Sequence, residues 1–351
     1  RRPEFEGNSL SGNIGYDSDY GPNSDSSLLS SPQDLCTMMS PSLAGSLPCL
    51  AFHHGADRPT VLFDVSEKKP IAGDIDELKN KAICPTTHGF MLIRCPASMS
   101  TFMWNPQDRG KIELPPLPVQ PDLLIDCTCL LSDKPTALNC IVLLVEPYTT
   151  FMWYCHIGDN QWQKYDYDIG TLPLPDLQSY EKEVIAPIAA CGGRFYFNST
   201  RTELGVMDFC PTPVFSSIVI DDAVDESYGV AQGPAKVFLV ESNEELYMVS
   251  LLCVTSAKTI YGASIHRMDF SKRRWRKVDD LGGHTFLLSL FNYGAMCSVS
   301  KSGLRENCVY ISYPWEKTLH IFNVKDGSME SQKLDEAPAS DKAFWMIPTN
   351  A

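Results

Sequence analysis

Arg194-Phe195-Tyr196-Phe197 is the clearest of several short apolar runs that recur along the chain. The runs are centred on Leu50, Phe90, Leu143, Tyr196, Tyr247 and Tyr310, at successive intervals of 40, 53, 53, 51 and 63 residues. Each is rich in Val, Ile, Leu, Phe or Tyr and is bounded by Gly, Pro, Asn or Asp, which indicates a β-strand. Repeats of roughly 40–50 residues with this pattern are typical of propeller blades. We interpret the runs as inner strands and expect six blades.

A second recurring feature supports the same register. Trp162-Gln163-Lys164-Tyr165-Asp166 and Trp275-Arg276-Lys277-Val278-Asp279 share the pattern Trp-x-Lys-apolar-Asp. These segments are expected to be outer strands of equivalent blades. The sequence therefore predicts an all-β protein, most simply a six-bladed propeller with four antiparallel strands in each blade. A β-sandwich pair is the alternative, and five or seven blades follow if the 40- or 63-residue interval is misassigned.

The composition changes near residue 31. Residues 1–31 hold eight Ser and four Gly with almost no aliphatic side chains, which predicts a disordered tail rich in Ser, Gly and Asp. Residues 32–351 then form a single propeller domain. Hydrophobic residues make up 44% of the chain, enough to bury a substantial core.

The net charge of −14 repels phosphate backbones and anionic lipids, so neither nucleic acid nor a membrane is an expected partner. No run approaches the roughly 18 apolar residues of a membrane span. The 13 cysteines mostly lie in apolar runs and indicate buried thiols in a reducing compartment. The cytosol or nucleus is therefore expected, with an organelle as the alternative if a transit peptide has been removed.

Several motifs together resemble a known family. They are His88-Gly89-Phe90-Met91-Leu92, Trp104-Asn105-Pro106, Ile112-Glu113-Leu114-Pro115-Pro116-Leu117, Asp326-Gly327-Ser328-Met329-Glu330 and Phe344-Trp345-Met346-Ile347-Pro348. Their order is similar to that of the plant F-box-associated propellers, the kelch-like KIB type of domain of unknown function family 295. The resemblance covers roughly residues 45–349. It implies structural roles for the motif residues His88, Gly89, Asn105, Pro106, Trp162, Trp275, Asp326 and Gly327.

The resemblance also implies a function. Such propellers commonly recognise protein substrates for a Skp-cullin-F-box ubiquitin ligase, to which an N-terminal F-box couples them. Ser31-Pro32-Gln33-Asp34-Leu35 resembles the opening of an F-box but reaches Leu50 too soon to complete one. We therefore expect no F-box in this chain, and a Skp-type adaptor as partner only if an F-box lies upstream. A stand-alone propeller that inhibits or scaffolds a partner is the alternative.

The alternative from a different functional class is an enzyme with a site in the central channel. His53-His54 with Asp57, Asp74 and Asp76 could be imagined as a metal or acid–base site, but the spacing matches no known ligand set. No nucleophile elbow or phosphate-binding loop occurs. We expect no catalysis, no cofactor and no metal.

Aromatic residues in loops are the best candidates for partner contacts, because aromatic side chains dominate interface energetics. They are Tyr148, Tyr180, Tyr313 and Trp315. Packing between blades is the alternative role for these residues. The expected partner is a protein substrate or a regulated protein, and the chain is expected to be a monomer.

Overall fold

The computed structural model describes residues 43–53, 59–73, 75–118, 124, 126–174, 179–198, 202–221, 235–253, 260–289, 293–300, 302–313, 317–338, 340 and 342–349. The tail predicted at residues 1–31 and its boundary lie outside these ranges, so both stay predictions. The regular structure of the described residues is β apart from short 3-10 turns at Leu43–Gly45, at Asp76–Leu78 and at Leu124. No helix in these ranges is long and apolar enough to cross a membrane.

Six sheets are arranged as the blades of a propeller, as predicted. In chain order the first blade contains β1 (Cys49–His53), β2 (Val61–Asp64) and β3 (Lys69–Pro70), and the second β4 (Ala82–Pro85), β5 (Met91–Arg94), β6 (Thr101–Trp104) and β7 (Lys111–Leu114). The third contains β8 (Thr128–Leu131), β9 (Ile141–Val145), β10 (Phe151–His156) and β11 (Gln163–Asp166), and is followed by a separate hairpin, β12 (Thr171–Leu174) and β13 (Ser179–Lys182).

The remaining blades follow in order. The fourth contains β14 (Ile188–Cys191), β15 (Arg194–Asn198), β16 (Glu203–Phe209) and β17 (Pro213–Val219), and the fifth β18 (Ala235–Ser242), β19 (Glu245–Cys253), β20 (Ile260–Asp269) and β21 (Arg274–Lys277). The sixth contains β22 (His284–Ser289), β23 (Gly294–Ser298), β24 (Cys308–Tyr313), β25 (Thr318–Asn323) and β26 (Met329–Lys333), and the last strand is β27 (Lys342–Met346).

The ring is closed by pairing the two ends of the described chain. Strand β27 is the innermost strand of the first blade and pairs antiparallel with β1, from Cys49 opposite Met346 to His53 opposite Lys342. All ten residues of the two strands are buried. The buried hydroxyl of Ser340 donates to the carbonyl of His53 at 2.7 Å, which fixes the start of β27. The first blade therefore forms only when both ends of the chain meet.

The sixth blade departs from the four-stranded pattern. Its strand order is β23-β22-β24-β25-β26, and β22 runs parallel to β24. Strand β22 is inserted between the innermost strand β23 and β24, so this sheet has five strands. This insertion contributes to the long 63-residue interval before Tyr310.

The aligned apolar runs mark each blade once, but they do not lie on inner strands. Leu50, Leu143, Tyr196 and Tyr247 lie on the second strand of their blades, and Phe90 directly precedes the second strand β5. Tyr310 lies on β24, third from the centre because of the added strand. First and second strands are both covered by neighbouring blades, as the uniform burial of β4 and β5 shows. The hydrophobic pattern therefore could not distinguish them.

Candidate functional site

Two connections leave the same end of the third blade. The turn at residues 146–150 joins β9 to β10, and the β12–β13 hairpin follows β11. Successive strands of an antiparallel sheet alternate in direction, so both connections lie where β9 and β11 end. The hairpin is an addition to the propeller plan, since it pairs only with itself among the described strands.

A surface cavity of about 710 Å³ lies between these two connections. It is lined by residues 147–151, Leu172, residues 181–184 and Ala186. We call this cavity the hairpin groove. Its volume is in the range of sites that hold small molecules or several side chains of a partner.

Tyr167 ties the two walls of the hairpin groove together. Its hydroxyl donates to the carbonyl of Thr149 at 2.8 Å and accepts a bond from the amide of Ile185 at 3.2 Å. The ring is 5% exposed and packs against Phe215, with the ring centroids 5.7 Å apart. Burial raises the pKa of Tyr167, so the hydroxyl keeps its proton. The strand pattern of the sequence does not distinguish Tyr167 from an ordinary core tyrosine, so it gave no sign of this role.

The base of the hairpin is fixed by local hydrogen bonds. The amide of Glu183 donates to the carbonyl of Gly170 at 3.0 Å, and the amide of Gly170 donates to the side chain of Asp168 at 3.2 Å. Gly170 has a φ of 124°, a conformation that glycine adopts without strain. Lys182 pairs with Asp168 at 3.4 Å across the base. The hairpin therefore has a defined position beside the groove.

The groove carries uncompensated negative charge. Glu181, Lys182 and Glu183 line it; Lys182 is paired with Asp168, whereas neither glutamate forms an ion pair with any residue that the structure describes. Burial, with a smaller effect of the nearby carboxylate of Glu203, raises the pKa of Glu183. A nearby positive group would favour the ionised form of this carboxylate.

The structure brings two of the four predicted contact residues to this region. Tyr148 lines the groove and is 85% exposed. Tyr180, which is 74% exposed, lies on β13, but strand alternation puts its side chain on the face opposite Glu181. Tyr313 is the last residue of β24 and pairs with Thr318. The side chain of Tyr313 and the whole of Trp315 lie outside the described part of the structure. These roles stay predictions.

The motif residues His88 and Gly89 lie in the turn between β4 and β5. The amide of Thr86 bonds the carbonyl of Phe90 at 3.0 Å across this turn. Gly89 has a φ of 82°, and a Cβ there would lie 2.8–2.9 Å from backbone atoms of residues 347–349. His88 is half-buried, and burial lowers its pKa despite the carboxylates of Glu241 and Asp133. Gly89 is therefore a turn residue that packs against the closing segment, residues 347–349.

The other motif residues also lie in turns and outer strands. Asn105 is 8% exposed, and its side chain accepts the amide of Gln107 at 2.9 Å in the turn that contains Pro106. Gly327 has a φ of 70° in the turn after β25, where the hydrogen bonds of Ser328 lower the pKa of Asp326. Trp162 directly precedes β11 and Trp275 lies on β21; both strands are the outermost of their blades, as expected.

A small cavity lies between the innermost strands β4, β8 and β27. The cavity between Tyr293, Lys342 and Phe344 has a volume of about 10 Å³, which holds at most one water molecule. Among the described residues no three His, Cys, Asp or Glu side chains are grouped to hold a metal ion. Ten of the twelve described cysteines are buried, and none forms a disulfide. Cysteines in apolar runs were predicted to be buried, and Cys129, Cys140, Cys253 and Cys308, which lie in such runs, are buried.

Two of the residues considered for a metal or acid–base site, His53 and Asp76, are described, and each contacts a different neighbour. His53 is 1% exposed, and its Nδ1 lies 3.0 Å from the hydroxyl of Thr60. Asp76 lies in a 3-10 turn and pairs with Lys79 at 3.0 Å. His54, Asp57 and Asp74 lie outside the described residues.

Comparison with known proteins identifies relatives of the propeller. The chain is 22% identical over 222 residues to the probable F-box protein At4g22060 of Arabidopsis thaliana, a match that covers 57% of this chain and 51% of that protein. It is 22% identical over 297 residues to the F-box protein At2g05970 of the same plant, covering 76% and 72%. The match to the first relative thus spans about half of that protein's length.

Two solved structures match the chain with low scores. The beta-propeller domain of Cps50 (Swd1) from Myceliophteria thermophila has 12% sequence identity and a TM-score of 0.36, with 84% of this chain and 99% of that chain covered. Hsv2 of Kluyveromyces lactis has 9% identity and a TM-score of 0.32, with 72% and 64% covered. These low scores carry no functional information.

A family model covers most of the propeller. The model that describes the KIB1-4 beta-propeller matches residues 62–334, which include strands of all six blades. The match agrees with the resemblance of the Asn-Pro and Asp-Gly-Ser motifs and with the two F-box relatives. The chain belongs to the KIB1-4 beta-propeller family.

Proposed function

We propose that this propeller is the substrate-recognition part of an F-box type ubiquitin-ligase receptor. The observation that carries the proposal is the similarity of the propeller to two Arabidopsis proteins named as F-box proteins. The fold and these relatives support a non-enzymatic protein-interaction propeller. The further link to a Skp-type adaptor and a cullin depends on an F-box in the same protein.

The hairpin groove is the surface that we assign to the substrate. It combines a well-defined cavity with the exposed ring of Tyr148, and exposed aromatic groups beside a cavity are typical anchors of protein interfaces. The groove lies on a hairpin added to the propeller plan. Variation in such added loops allows one scaffold to recognise different partners.

The alternatives predict different partners. A stand-alone propeller that inhibits or scaffolds a protein would bind through the same surface without an adaptor. An enzyme would need a substrate site, and the cavity between Tyr293, Lys342 and Phe344, of about 10 Å³, is too small to be that site. We place the protein, as a monomer, in the cytosol or nucleus, where free thiols persist.

Affinity purification tests the proposal directly. The tagged protein with its native upstream sequence is expressed in plant cells, and the proteins that copurify are identified by mass spectrometry. We expect a Skp-type adaptor, a cullin and additional substrate candidates. Recovery of a stoichiometric partner without adaptor or cullin would contradict the ligase role and support the stand-alone propeller.

A groove variant separates substrate binding from ligase assembly. In Tyr148→Ser we expect loss of the substrate candidates with unchanged recovery of the adaptor, because the F-box would bind the adaptor elsewhere. Val214→Ser is the matched surface control, since Val214 is 49% exposed on the outer strand β17. Equal recovery of all partners by wild type, Tyr148→Ser and Val214→Ser would contradict the role of the groove.

A further inference from the structure

The β12–β13 hairpin has one free edge that can accept another strand. The hydrogen bond from the amide of Glu183 to the carbonyl of Gly170 sets the alternation of the ladder. Leu172 and Glu181 are therefore a hydrogen-bonded pair, whereas Tyr180 and Lys182 each belong to a pair without backbone hydrogen bonds. The backbone N–H and C=O of Tyr180 and Lys182 therefore point away from β12. No described residue bonds them.

The opposite edge of the hairpin is blocked. Pro173 pairs with Tyr180 and is at an outward-facing position of β12. Proline has no N–H, so it cannot donate to an added strand, and natural sheets use it to protect their edges. The hairpin thus protects the edge of β12 and leaves the edge of β13 open.

The β13 side of the groove contributes two carboxylates and one lysine. Glu181 and Glu183 are two residues apart and point to the same side of the strand. Neither is ion-paired within the described chain, whereas Lys182 is already paired with Asp168. The groove therefore complements positive charge on a ligand.

The same groove also has an apolar component. Leu172 lies across the strand from Glu181 and is 50% exposed, and Tyr148 on the opposite wall is 85% exposed. An extended peptide beside β13 would place alternate side chains towards the groove. Basic and apolar side chains of such a peptide would meet Glu181, Glu183, Leu172 and Tyr148.

We propose that the hairpin groove binds an extended, basic segment of a partner protein, which adds as a strand to the free edge of β13. The proposal rests on the proposed function only in that the ligand is a protein. Backbone hydrogen bonds to Tyr180 and Lys182 supply affinity, and the carboxylates of Glu181 and Glu183 supply selectivity for Lys and Arg.

Peptide selection tests the chemistry of the ligand. The purified full chain is immobilised and challenged with a phage-displayed library of random decapeptides. We expect enrichment of peptides in which Lys or Arg occurs with aliphatic or aromatic residues in an alternating pattern. Enrichment of acidic or uncharged peptides, or no enrichment, would overturn the proposal.

Two variants test the charge. For the selected peptides, Glu181→Gln with Glu183→Gln should weaken binding by about tenfold, the typical effect of losing a charge-assisted hydrogen bond. Glu113→Gln with Glu336→Gln is the matched control, because both carboxylates are exposed and lie outside the groove. An equal loss in both double variants would show a general charge effect and contradict the proposal.

A second pair of variants tests the strand edge. Tyr180→Ala removes the ring but keeps the outward N–H, whereas Tyr180→Pro removes both. The hairpin tolerates proline at the facing position Pro173, so we expect a folded Tyr180→Pro protein, which circular dichroism checks. A peptide affinity that is about fivefold or more weaker for Tyr180→Pro than for Tyr180→Ala would support strand addition. Equal affinities of the two variants would contradict it.

The outcomes separate this inference from the ligase proposal. Selected peptides that require Glu181 and Glu183, with no adaptor in the cellular purification, support the basic ligand and contradict the ligase. Recovery of the adaptor, together with selected peptides whose binding does not depend on Glu181 and Glu183, would support the ligase and contradict the basic ligand.

Discussion

The indole Nε1 of Trp162 donates a hydrogen bond of 2.8 Å to the carbonyl oxygen of Pro115. Trp162 directly precedes the outer strand of the third blade, and Pro115 follows the outer strand of the second. The indole is 6% exposed and packs with Leu114 and Leu117 in one core cluster. Two motifs that are separate in the sequence are therefore one contact between neighbouring blades.

We expect Trp162→Phe to destabilise the protein by about 1–3 kcal/mol, because it leaves the buried carbonyl of Pro115 without a donor. Urea unfolding measures the change. Trp275→Phe is the matched control at the equivalent outer strand, where the half-buried indole has no hydrogen bond to a described residue. An equal loss in both variants would indicate that ring volume, rather than the hydrogen bond, stabilises the blade contact.

Gly89→Ala should be far more damaging than Gly193→Ala. The two glycines have φ values of 82° and 78°, so both alanines carry similar backbone strain. Only at Gly89 would the Cβ overlap the backbone of residues 347–349; at Gly193 it meets nothing within 4 Å. We expect Gly89→Ala to cost about 2 kcal/mol more in the free energy of unfolding. Similar thermal midpoints for the two variants would be inconsistent with this close approach.

Tyr167→Phe should loosen the hairpin groove without unfolding the propeller. The substitution removes the bonds to Thr149 and Ile185 and should cost about 1–2 kcal/mol. Hydrogen exchange should accelerate at the Ile185 amide. Tyr165→Phe is the control, because its hydroxyl makes only a 3.5 Å contact with Pro213. Unchanged exchange at Ile185 would contradict the anchoring role of Tyr167.

Cys95 should be a reactive thiol of the described chain. The side chain and backbone of Ser98, with a smaller effect of Lys81, lower the pKa of Cys95 to about 7. Most other described thiols are buried with raised pKa values, to about 12 at Cys49. Alkylation by iodoacetamide should therefore rise as the pH passes through about 7. The Cys95→Ser variant should lose this phase, and Lys81→Met should move it to higher pH; a phase that persists without Cys95 would contradict the assignment.

Glu183→Gln should stabilise the protein at neutral pH by up to about 0.5 kcal/mol. Burial raises the folded-state pKa of Glu183 above its unfolded value, so the ionised form destabilises the fold and protonation relieves the cost. The advantage of the variant should vanish as the pH falls through the raised pKa. Glu113→Gln, at an exposed site outside the groove, is the control for the loss of a carboxylate. A stability difference that is constant with pH would contradict this explanation.

The sequence predicted the blade count because each blade contains one strongly apolar run, and it predicted the outer strands through Trp162 and Trp275. It assigned the runs to the wrong strand, because both central strands of a blade are buried and their patterns are alike. Tyr148 and Tyr180 stood out as aromatic residues in polar loops. Their relation to Leu172, Glu181 and Glu183 did not, because the groove joins segments that approach only after the blade has folded.

The sequence alone determined an acidic, thiol-rich β protein with repeated strands, since these properties follow from composition and local hydrophobic period. Only the tertiary structure decided how the ring closes, where β27 pairs with β1, and where Tyr167 joins the walls of the hairpin groove. Both depend on contacts between residues distant in sequence. Such contacts are set by the geometry of packed sheets rather than by any local pattern.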